Sequence, residues 1–445
     1  MYCQGNFPAL VPRLLAPNWR DMSARSRFNP ALGFILVTAL LDVMAIGIII
    51  PVLPALIVEF TGSDADAGLW NGVMVALWAG MQFLFSPIIG ALSDARGRRP
   101  VLLISALGLA ADFVLMALAP DLWWLALGRI LGGITSSSFT TTFAYMADIT
   151  EPAKRSRAYG LIGVAYSAGF IAGPVLGGWL GEYGARVPFW AAAALAGVAF
   201  VYGLLVIPES LKPELRMPFS WRRASPFGAM KLLGSHPELS GLAIAYFLFY
   251  FAHHVFSVVF VLYAGARFGW GPWEVGLVLA LWGVLDVLVQ AVAVGPVVGR
   301  IGDRGAMVVG LVFGALGLAG LGLAPDGPAF IAAVVLSSIW GLAQPTIMAL
   351  MTARVSESEQ GQLQGASMSV ASLAGIVAPL FFGWIYGLSM GAQPLIPHPG
   401  AAFLIAGVVL ALSALIGWQG GRRGPGEGPR RFPAAPGGMG SAAGE

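Results

Sequence analysis

The sequence predicts an all-α integral membrane protein with twelve transmembrane helices, arranged as two related halves of six. Of its 445 residues, 57% are hydrophobic and only 11% are charged, whereas about 25% of the residues in a typical soluble domain are charged. The mean hydropathy is +0.78. The apolar residues fall into long stretches, each about long enough to cross a hydrocarbon core of roughly 30 Å. The chain is therefore expected to cross a lipid bilayer many times.

Two repeated patterns indicate that the halves are related. Pro87-Ile-Ile-Gly-Ala-Leu-Ser-Asp94 matches Pro296-Val-Val-Gly-Arg-Ile-Gly-Asp303. Farther along, residues 160–179 match residues 365–384, with a proline and two glycines aligned. Parallel halves with a site at their interface near the middle of the bilayer are an architecture of secondary transporters.

Each half contains six apolar stretches of the length that a span requires. In the first half, residues 31–207, the spans are predicted at 31–57, 69–92, 101–119, 122–148, 158–181 and 188–207. In the second half, residues 239–418, they are predicted at 239–264, 273–298, 304–324, 328–351, 361–387 and 400–418. The other segments are predicted as a cytoplasmic tail (1–30, with Met22 as an alternative start), a cytoplasmic linker (208–238) and a disordered cytoplasmic tail (419–445).

The basic residues predict the orientation. All but three of the 25 Lys and Arg residues fall in the tails, the linker and the loops on one side of the predicted bundle. The exceptions are Arg186 and Arg267 in loops on the other side, and Arg129 within a span. Because positively charged loops stay in the cytoplasm, both termini are expected there, in a multi-pass protein of the plasma (inner) membrane. Basic residues dispersed in this way do not predict a nucleic-acid partner.

Four charged residues stand out within the predicted spans, away from the span ends. Asp42, Asp112 and Asp286 each lie near the middle of a span, and Arg129 lies about 10 Å from the end of the fourth. A charge at the bilayer centre costs about 2.5–3.5 kcal/mol on insertion scales, so these residues are functional candidates. Asp42 is expected to bind and release a proton, the alternative being a permanent pair with Arg129. Asp112 is either functional or a partner of a neighbouring helix, and Asp286 is expected to face a central cavity.

Further residues within the spans are candidates for lining that cavity. They are Gln82, Tyr166, His253, His254, Trp282, Gln290 and Gln344. The glutamine amides need hydrogen-bond partners in hydrocarbon, and aromatic faces attract cations. The adjacent histidines point about 100° apart, and each would either join a proton path or pack between helices. With four His and one Cys in the sequence, no metal site is predicted.

Three local sequences carry more specific information. Gly90–Arg99 is a short, densely charged turn between two long apolar runs, and Leu127–Gly133 surrounds the membrane arginine. Gly169–Gly178 has small residues four apart and contains Gly173 and Pro174. Such spacing lets helices approach closely, and proline kinks a helix, so the segment and its copy in the second half are expected to act as bending points.

These sequences resemble signatures of the major facilitator superfamily, and in particular of its twelve-span drug/proton antiporters. Gly169–Gly178 is similar to the antiporter signature, while Leu41–Pro54 and Gly361–Gly365 look like the tetracycline/proton antiporters. The resemblance covers about residues 31–418. It implies the major facilitator fold and efflux of tetracycline-like or other hydrophobic drugs in exchange for protons. It also implies a monomer that uses the proton gradient and no cofactor.

The resemblance implies roles for individual residues as well. Asp42 and Asp112 match membrane acids implicated in tetracycline transport, and Arg129 matches an arginine thought to modulate proton exchange. Asp94 is expected to cap the eleventh span near Gly361 through the helix dipole. The residues that would govern conformational switching are Gly90, Asp94, Arg98, Gly173, Pro174 and Gly178.

The second half departs from that family at Asp286, where the antiporters would have a histidine, and at Gly314, near which they have an acid.

Two other functions are kept as alternatives. One is a transporter of the same fold for a sugar, amino acid or organic acid, although an anionic substrate would favour more cations in the spans than Arg129. The other is a non-transporting receptor or assembly factor. No enzyme is predicted, because no nucleophile is accompanied by a base outside the membrane and no G-x-x-x-x-G-K-[ST] loop occurs.

Overall fold

The computed structural model describes residues 30–136, 139–151, 154–221, 232–233, 236–356, 359–391 and 393–421. Within these residues the regular structure is entirely helical. The predicted tails lie almost wholly outside the described residues, as does most of the basic part of the predicted linker.

Among the described residues, the first half forms eight α-helices. They are α1 (Pro30–Ile49), α2 (Leu53–Thr61), α3 (Asp64–Arg96), α4 (Arg98–Ala117), α5 (Leu122–Thr135), α6 (Phe139–Ile149), α7 (Arg155–Gly181) and α8 (Val187–Val206). α1 and α2 are parts of one span, interrupted by a turn around Pro51, because proline removes a backbone donor and clashes with the preceding turn. α5 and α6 together form the fourth span.

The second half also forms eight α-helices. They are α9 (Ser240–Val258), α10 (Phe260–Phe268), α11 (Pro272–Leu288), α12 (Val294–Leu323), α13 (Gly327–Ser337), α14 (Ala343–Thr352), α15 (Gln360–Met390) and α16 (Ala401–Gly420). A π-helical turn, Val289–Ala293, joins α11 to α12, and a 3-10 segment, Ser338–Leu342, joins α13 to α14.

Ten helical runs among the described residues are long and apolar enough to cross a membrane. One of them, Pro272–Leu323, has 52 residues, which at about 1.5 Å per residue is more than twice the thickness of a bilayer core. This run turns at Gly302, whose φ of 72° and ψ of 167° are not helical, and so it supplies two spans. With α5 and α6 as a further span, the predicted fold of twelve spans in two six-span halves is confirmed.

The two sides of the bundle differ in charge. The side where α3 ends and α4 begins carries Arg96, Arg98 and Arg99, and we call it the basic side. The opposite side, which carries Asp64 and Asp121, is called the acidic side.

Near the acidic side the halves meet through two equivalent pairs of helices, α3 with α15 and α7 with α11. Glycines bring the backbones together at both contacts. A Cβ added to Gly178 of α7 would lie 3.2 Å from Cα of Trp273, and one added to Gly383 of α15 would lie 3.3 Å from Cα of Gly72. The internal repeat of the sequence therefore corresponds to a repeated contact between the halves.

Toward the basic side the halves diverge. Five glycines near this side have open space around them. A Cβ added to any one of them would meet no described neighbouring atom within 4 Å. They are Gly160 and Gly163 of α7, Gly295 and Gly299 of α12, and Gly361 of α15. Among the described residues, the close glycine contacts between the halves therefore lie toward the acidic side.

Substitution of Gly178 by alanine is expected to destabilise the fold by about 1–3 kcal/mol, the usual cost of overpacking. The added methyl group would press on the backbone carbon of Pro272. Gly163→Ala on the same helix is the control, because its Cβ would meet no described atom within 4 Å. Thermal unfolding of the purified variants, followed by circular dichroism, measures both effects. Equal unfolding temperatures would contradict a close contact at Gly178.

Candidate functional site

A buried ion pair in the first half joins Asp112 of α4 to Arg129 of α5. Arg129 Nη2 is 3.6 Å from Asp112 Oδ2, and the side chains are 9% and 1% exposed. Arg129 Nη2 also lies 3.0 Å from the sulfur of Met116. Gly128 and Gly132 make room for the carboxylate, since a Cβ at Gly128 would lie 2.9 Å from Asp112 Oδ1 and one at Gly132 would lie closer still. The glycines of the arginine motif therefore leave the space that the Asp112 carboxylate needs to reach Arg129.

Asp42 lies apart from this pair. It lines a cavity of about 10 Å³, roughly the space that one water molecule needs, together with Ser105 of α4, Thr135 of α5 and Phe139 of α6. Asp42 Oδ1 is buried and has no hydrogen-bond partner among the described residues. Because Arg129 is paired with Asp112, the alternative of a permanent pair between Asp42 and Arg129 does not hold. The proton-binding role of Asp42 stays a prediction.

Asp286 lies in the last turn of α11, directly before the π-helical turn. Gln290 Nε2 donates a hydrogen bond of 2.7 Å to Asp286 Oδ2. The other oxygen faces the 3-10 segment of the tenth span, where a Cβ at Gly341 would lie 2.7 Å from Oδ1. Two irregular backbone segments thus meet at one carboxylate. Such segments within helices are frequent at functional sites and hinges.

The two histidines have different surroundings. The ring of His253 lies 5.5 Å from that of Trp282, which in turn stacks on Phe256 at 4.4 Å between centroids. His254 points toward α15, where its Nε2 lies 3.2 Å from the position of a Cβ on Gly375. His253 therefore lies within an aromatic cluster with Phe256 and Trp282, whereas His254 contacts this cluster through His253 and faces α15.

The remaining candidates for the cavity are dispersed. Tyr166 of α7 packs edge-on against Phe139 at 5.2 Å between centroids and lies within electrostatic range of Asp42. Gln82 of α3 and Gln344 of α14 are half-buried. The structure thus places Tyr166 against Phe139, which lines the Asp42 cavity, and in the second half it places His253 beside Trp282 and Gln290 on Asp286.

The charged turn at the basic side forms a network with the start of the linker. Arg98 binds Asp94 and also donates from Nε to Asp148 Oδ2 at 3.1 Å. Glu209 accepts hydrogen bonds from the backbone N–H groups of Arg98 and Arg99 at 2.8 and 3.3 Å. These groups lie at the N-terminus of α4, where the helix dipole favours a negative charge. Sequence analysis missed Glu209, although an acidic residue directly after the sixth span was a signal for it.

Asp94 is engaged with the first half and with the linker. Besides its bond to Arg98, its backbone carbonyl accepts a hydrogen bond of 3.1 Å from the N–H of Met217. A Cβ at Gly361, at the start of α15, would meet no described neighbouring atom within 4 Å. The predicted cap by Asp94 on α15 stays a prediction.

Two related six-span halves in close contact toward one side, with carboxylates buried at membrane depth, have the architecture of a membrane transport protein. Residues 35–239 and 242–441 match the family model of the Major Facilitator Superfamily. The chain belongs to this superfamily, as the resemblance of its motifs predicts.

Individual relatives agree with this assignment. The tetracycline resistance protein, class C, of Escherichia coli is 38% identical over 81% of this chain and 91% of its own length. The class G protein of Vibrio anguillarum is 36% identical over 79% of this chain and 89% of its own length. Among solved structures, a bacterial homolog of the human lysosomal transporter Spinster, in an inward-facing and occupied conformation, matches with a TM-score of 0.73. It shares 16% identity and covers 92% of this chain and 98% of its own, a likeness of fold alone.

Substitution of Asp112 by asparagine is expected to destabilise the protein by about 3–5 kcal/mol, because it leaves the Arg129 guanidinium buried without a counter-charge. Asp42→Asn is the matched control, since Asp42 has no ion-pair partner among the described residues, and it should unfold near the wild-type temperature. Thermal unfolding in detergent compares the two. A loss confined to Asp42→Asn would reverse the assignment of the structural pair.

Proposed function

We propose that the protein is a proton-coupled antiporter that exports tetracycline-like or other hydrophobic drugs from the cytoplasm by alternating access. The observation that carries the proposal is the state of Asp42, a carboxylate at membrane depth beside space for one water molecule. Because it has no cationic partner among the described residues, Asp42 can gain a proton without leaving a buried charge unpaired. Protonation of Asp112 would leave Arg129 unpaired. The similarity to tetracycline resistance proteins supports the class of drug.

The coupling follows from competition between proton and drug. With the basic side in the cytoplasm, as the positive-inside rule predicts, the arrangement open to that side releases the proton from Asp42 and takes up the drug. After the switch, the acidic side opens outward, a proton binds Asp42 and the drug leaves. The proton gradient supplies the energy, with no cofactor, and a monomer in the plasma membrane with both termini in the cytoplasm suffices.

Asp286 is the second carboxylate that this scheme can use. It is hydrogen-bonded to Gln290 and lies in the half that contains the aromatic cluster around His253 and Trp282. Aromatic faces offer a hydrophobic or cationic drug a large apolar contact. We assign the first half mainly to proton binding and the second half mainly to the drug, with Asp286 responding to both.

Addition of tetracycline to the purified protein is expected to release protons, and Asp42→Asn should abolish this release. Asp66→Asn, which changes an exposed acid at the acidic side, is the control and should release protons like the wild type. A pH-indicator dye in weakly buffered detergent solution measures the release, and a small panel of lipophilic cations extends it beyond tetracycline. No release by folded wild-type protein with any of these compounds would favour a metabolite carrier or a non-transporting protein.

Asp94→Asn is expected to slow turnover while leaving drug affinity near the wild-type value. The reason is that Asp94 belongs to the network with Arg98 at the basic side, away from the cavity at Asp42. Initial rates of drug uptake into inside-out vesicles, compared with equilibrium drug binding, separate the two effects. Glu214→Gln, an exposed change in the linker, serves as control. Unchanged turnover in Asp94→Asn would remove Asp94 from the switching machinery.

A further inference from the structure

Asn71 has no part in the mechanism described above, yet it is a buried polar residue that joins the two halves. It lies on α3, about 10 Å from the acidic end of the helix, and is 1% exposed. Its Nδ2 atom donates a hydrogen bond of 2.8 Å to the carbonyl of Val258 and lies 3.5 Å from the carbonyl of Ser257. Because α3 belongs to the first half and α9 to the second, this bond crosses the interface between them.

The carbonyl of Val258 is available because the seventh span is broken at this point. α9 ends at Val258, and α10 begins at Phe260. The last carbonyls of a helix have no partner within that helix, and an unsatisfied carbonyl at membrane depth is costly. The amide of Asn71 meets this requirement from the opposite half of the protein.

Asn71 also lies within the contact that closes the acidic side. Gly68 and Gly72, its neighbours on α3, are pressed against α15, where a Cβ added to Gly68 would lie 3.3 Å from Cγ of Tyr386 and one added to Gly72 would lie 3.4 Å from Cα of Gly383. When the acidic side opens, α3 has to separate from the second half. The hydrogen bond of Asn71 has to break in the same movement.

We propose that Asn71 is a positioning residue of the transport cycle, whose hydrogen bond to Val258 holds the acidic side closed and sets how often it opens. In the opposite state, water that enters the opened cleft takes the place of the amide at the Val258 carbonyl. The bond is therefore a switchable contact between the halves. The proposal rests on alternating access, as proposed above, and not on the identity of the drug.

A distance across the acidic side tests this proposal without any substrate. The sequence contains one cysteine, Cys3, so Cys3→Ser gives a background for labelling. Spin labels on Asp66→Cys in α3 and Ala266→Cys in α10, both exposed at the acidic side, report the separation of the halves by double electron–electron resonance in lipid nanodiscs. In Asn71→Ala the ratio of long to short distances is expected to rise about tenfold, the shift that loss of one buried hydrogen bond produces.

Ser413→Ala is the matched control. Ser413 is fully buried, and its hydroxyl donates a hydrogen bond of 2.8 Å to the carbonyl of Ala245. This bond has the same length as that of Asn71 but joins α16 to α9 within the second half. Its loss should leave the distance distribution unchanged. Asn71→Leu is a further variant, of similar size, and should behave like Asn71→Ala because a leucine side chain has no hydrogen to donate to the Val258 carbonyl.

An unchanged distribution in folded Asn71→Ala would overturn the proposal. An equal shift in Ser413→Ala would also overturn it, since the effect would then be a general loosening of the bundle. Should Asn71→Ala not accumulate in the membrane, Asn71→Ser, whose shorter side chain does not reach Val258, is measured by the same criteria. Because the distances need neither drug nor proton gradient, a failure of drug transport would contradict the proposed function and leave the test of Asn71 intact.

Discussion

Polar groups at membrane depth need partners inside the protein, and this requirement determines the internal arrangement of the bundle. Asp112 is the partner of Arg129, and Asn71 is the partner of the Val258 carbonyl at the break in the seventh span. Water cannot supply these partners within hydrocarbon, so the helices that carry them must lie side by side. Asp42 differs from Asp112 in having no ion-pair partner among the described residues, and its Oδ1 atom is buried without a hydrogen bond. A buried carboxylate without a fixed counter-charge can take up a proton without leaving a cation unpaired, which suits the role proposed for Asp42.

Glycine contacts allow the same interface to close and to open. Lipid does not drive helices together as water does, so association in a membrane depends on close packing of small residues and on hydrogen bonds. At the acidic side, Gly178 on α7 and Gly383 on α15 bring backbone against backbone, one at each of the two equivalent contacts. Side chains that interlock would have to change rotamer before such surfaces could part. Flat glycine surfaces separate without that step, and so a few polar bonds can decide which side is open.

The fold was largely predictable from the sequence, while the pairing inside it was not. Long apolar stretches and the internal repeat gave twelve spans in two halves, because span length and repeat are properties of the chain itself. The partner of Arg129 was open at that stage, since Asp42 and Asp112 lie at similar depth and only packing separates them. Asn71 was missed for a related reason, because the break at Val259 contains neither proline nor glycine and gives no local signal.

The two halves differ in how firmly the backbone is held around their buried carboxylates, Asp112 in the first half and Asp286 in the second. In the first half, Asp112 is enclosed by the backbone of α5 at Gly128 and Gly132, so its ion pair holds α4 and α5 in fixed register. In the second half, the eighth and tenth spans both leave α-helical geometry beside Asp286. Irregular turns have weaker backbone hydrogen bonds and adjust at lower cost than regular helix. In the assignment proposed above, in which the drug binds in the second half, the backbone beside Asp286 would adjust to the drug, while the Asp112–Arg129 pair keeps α4 and α5 in place.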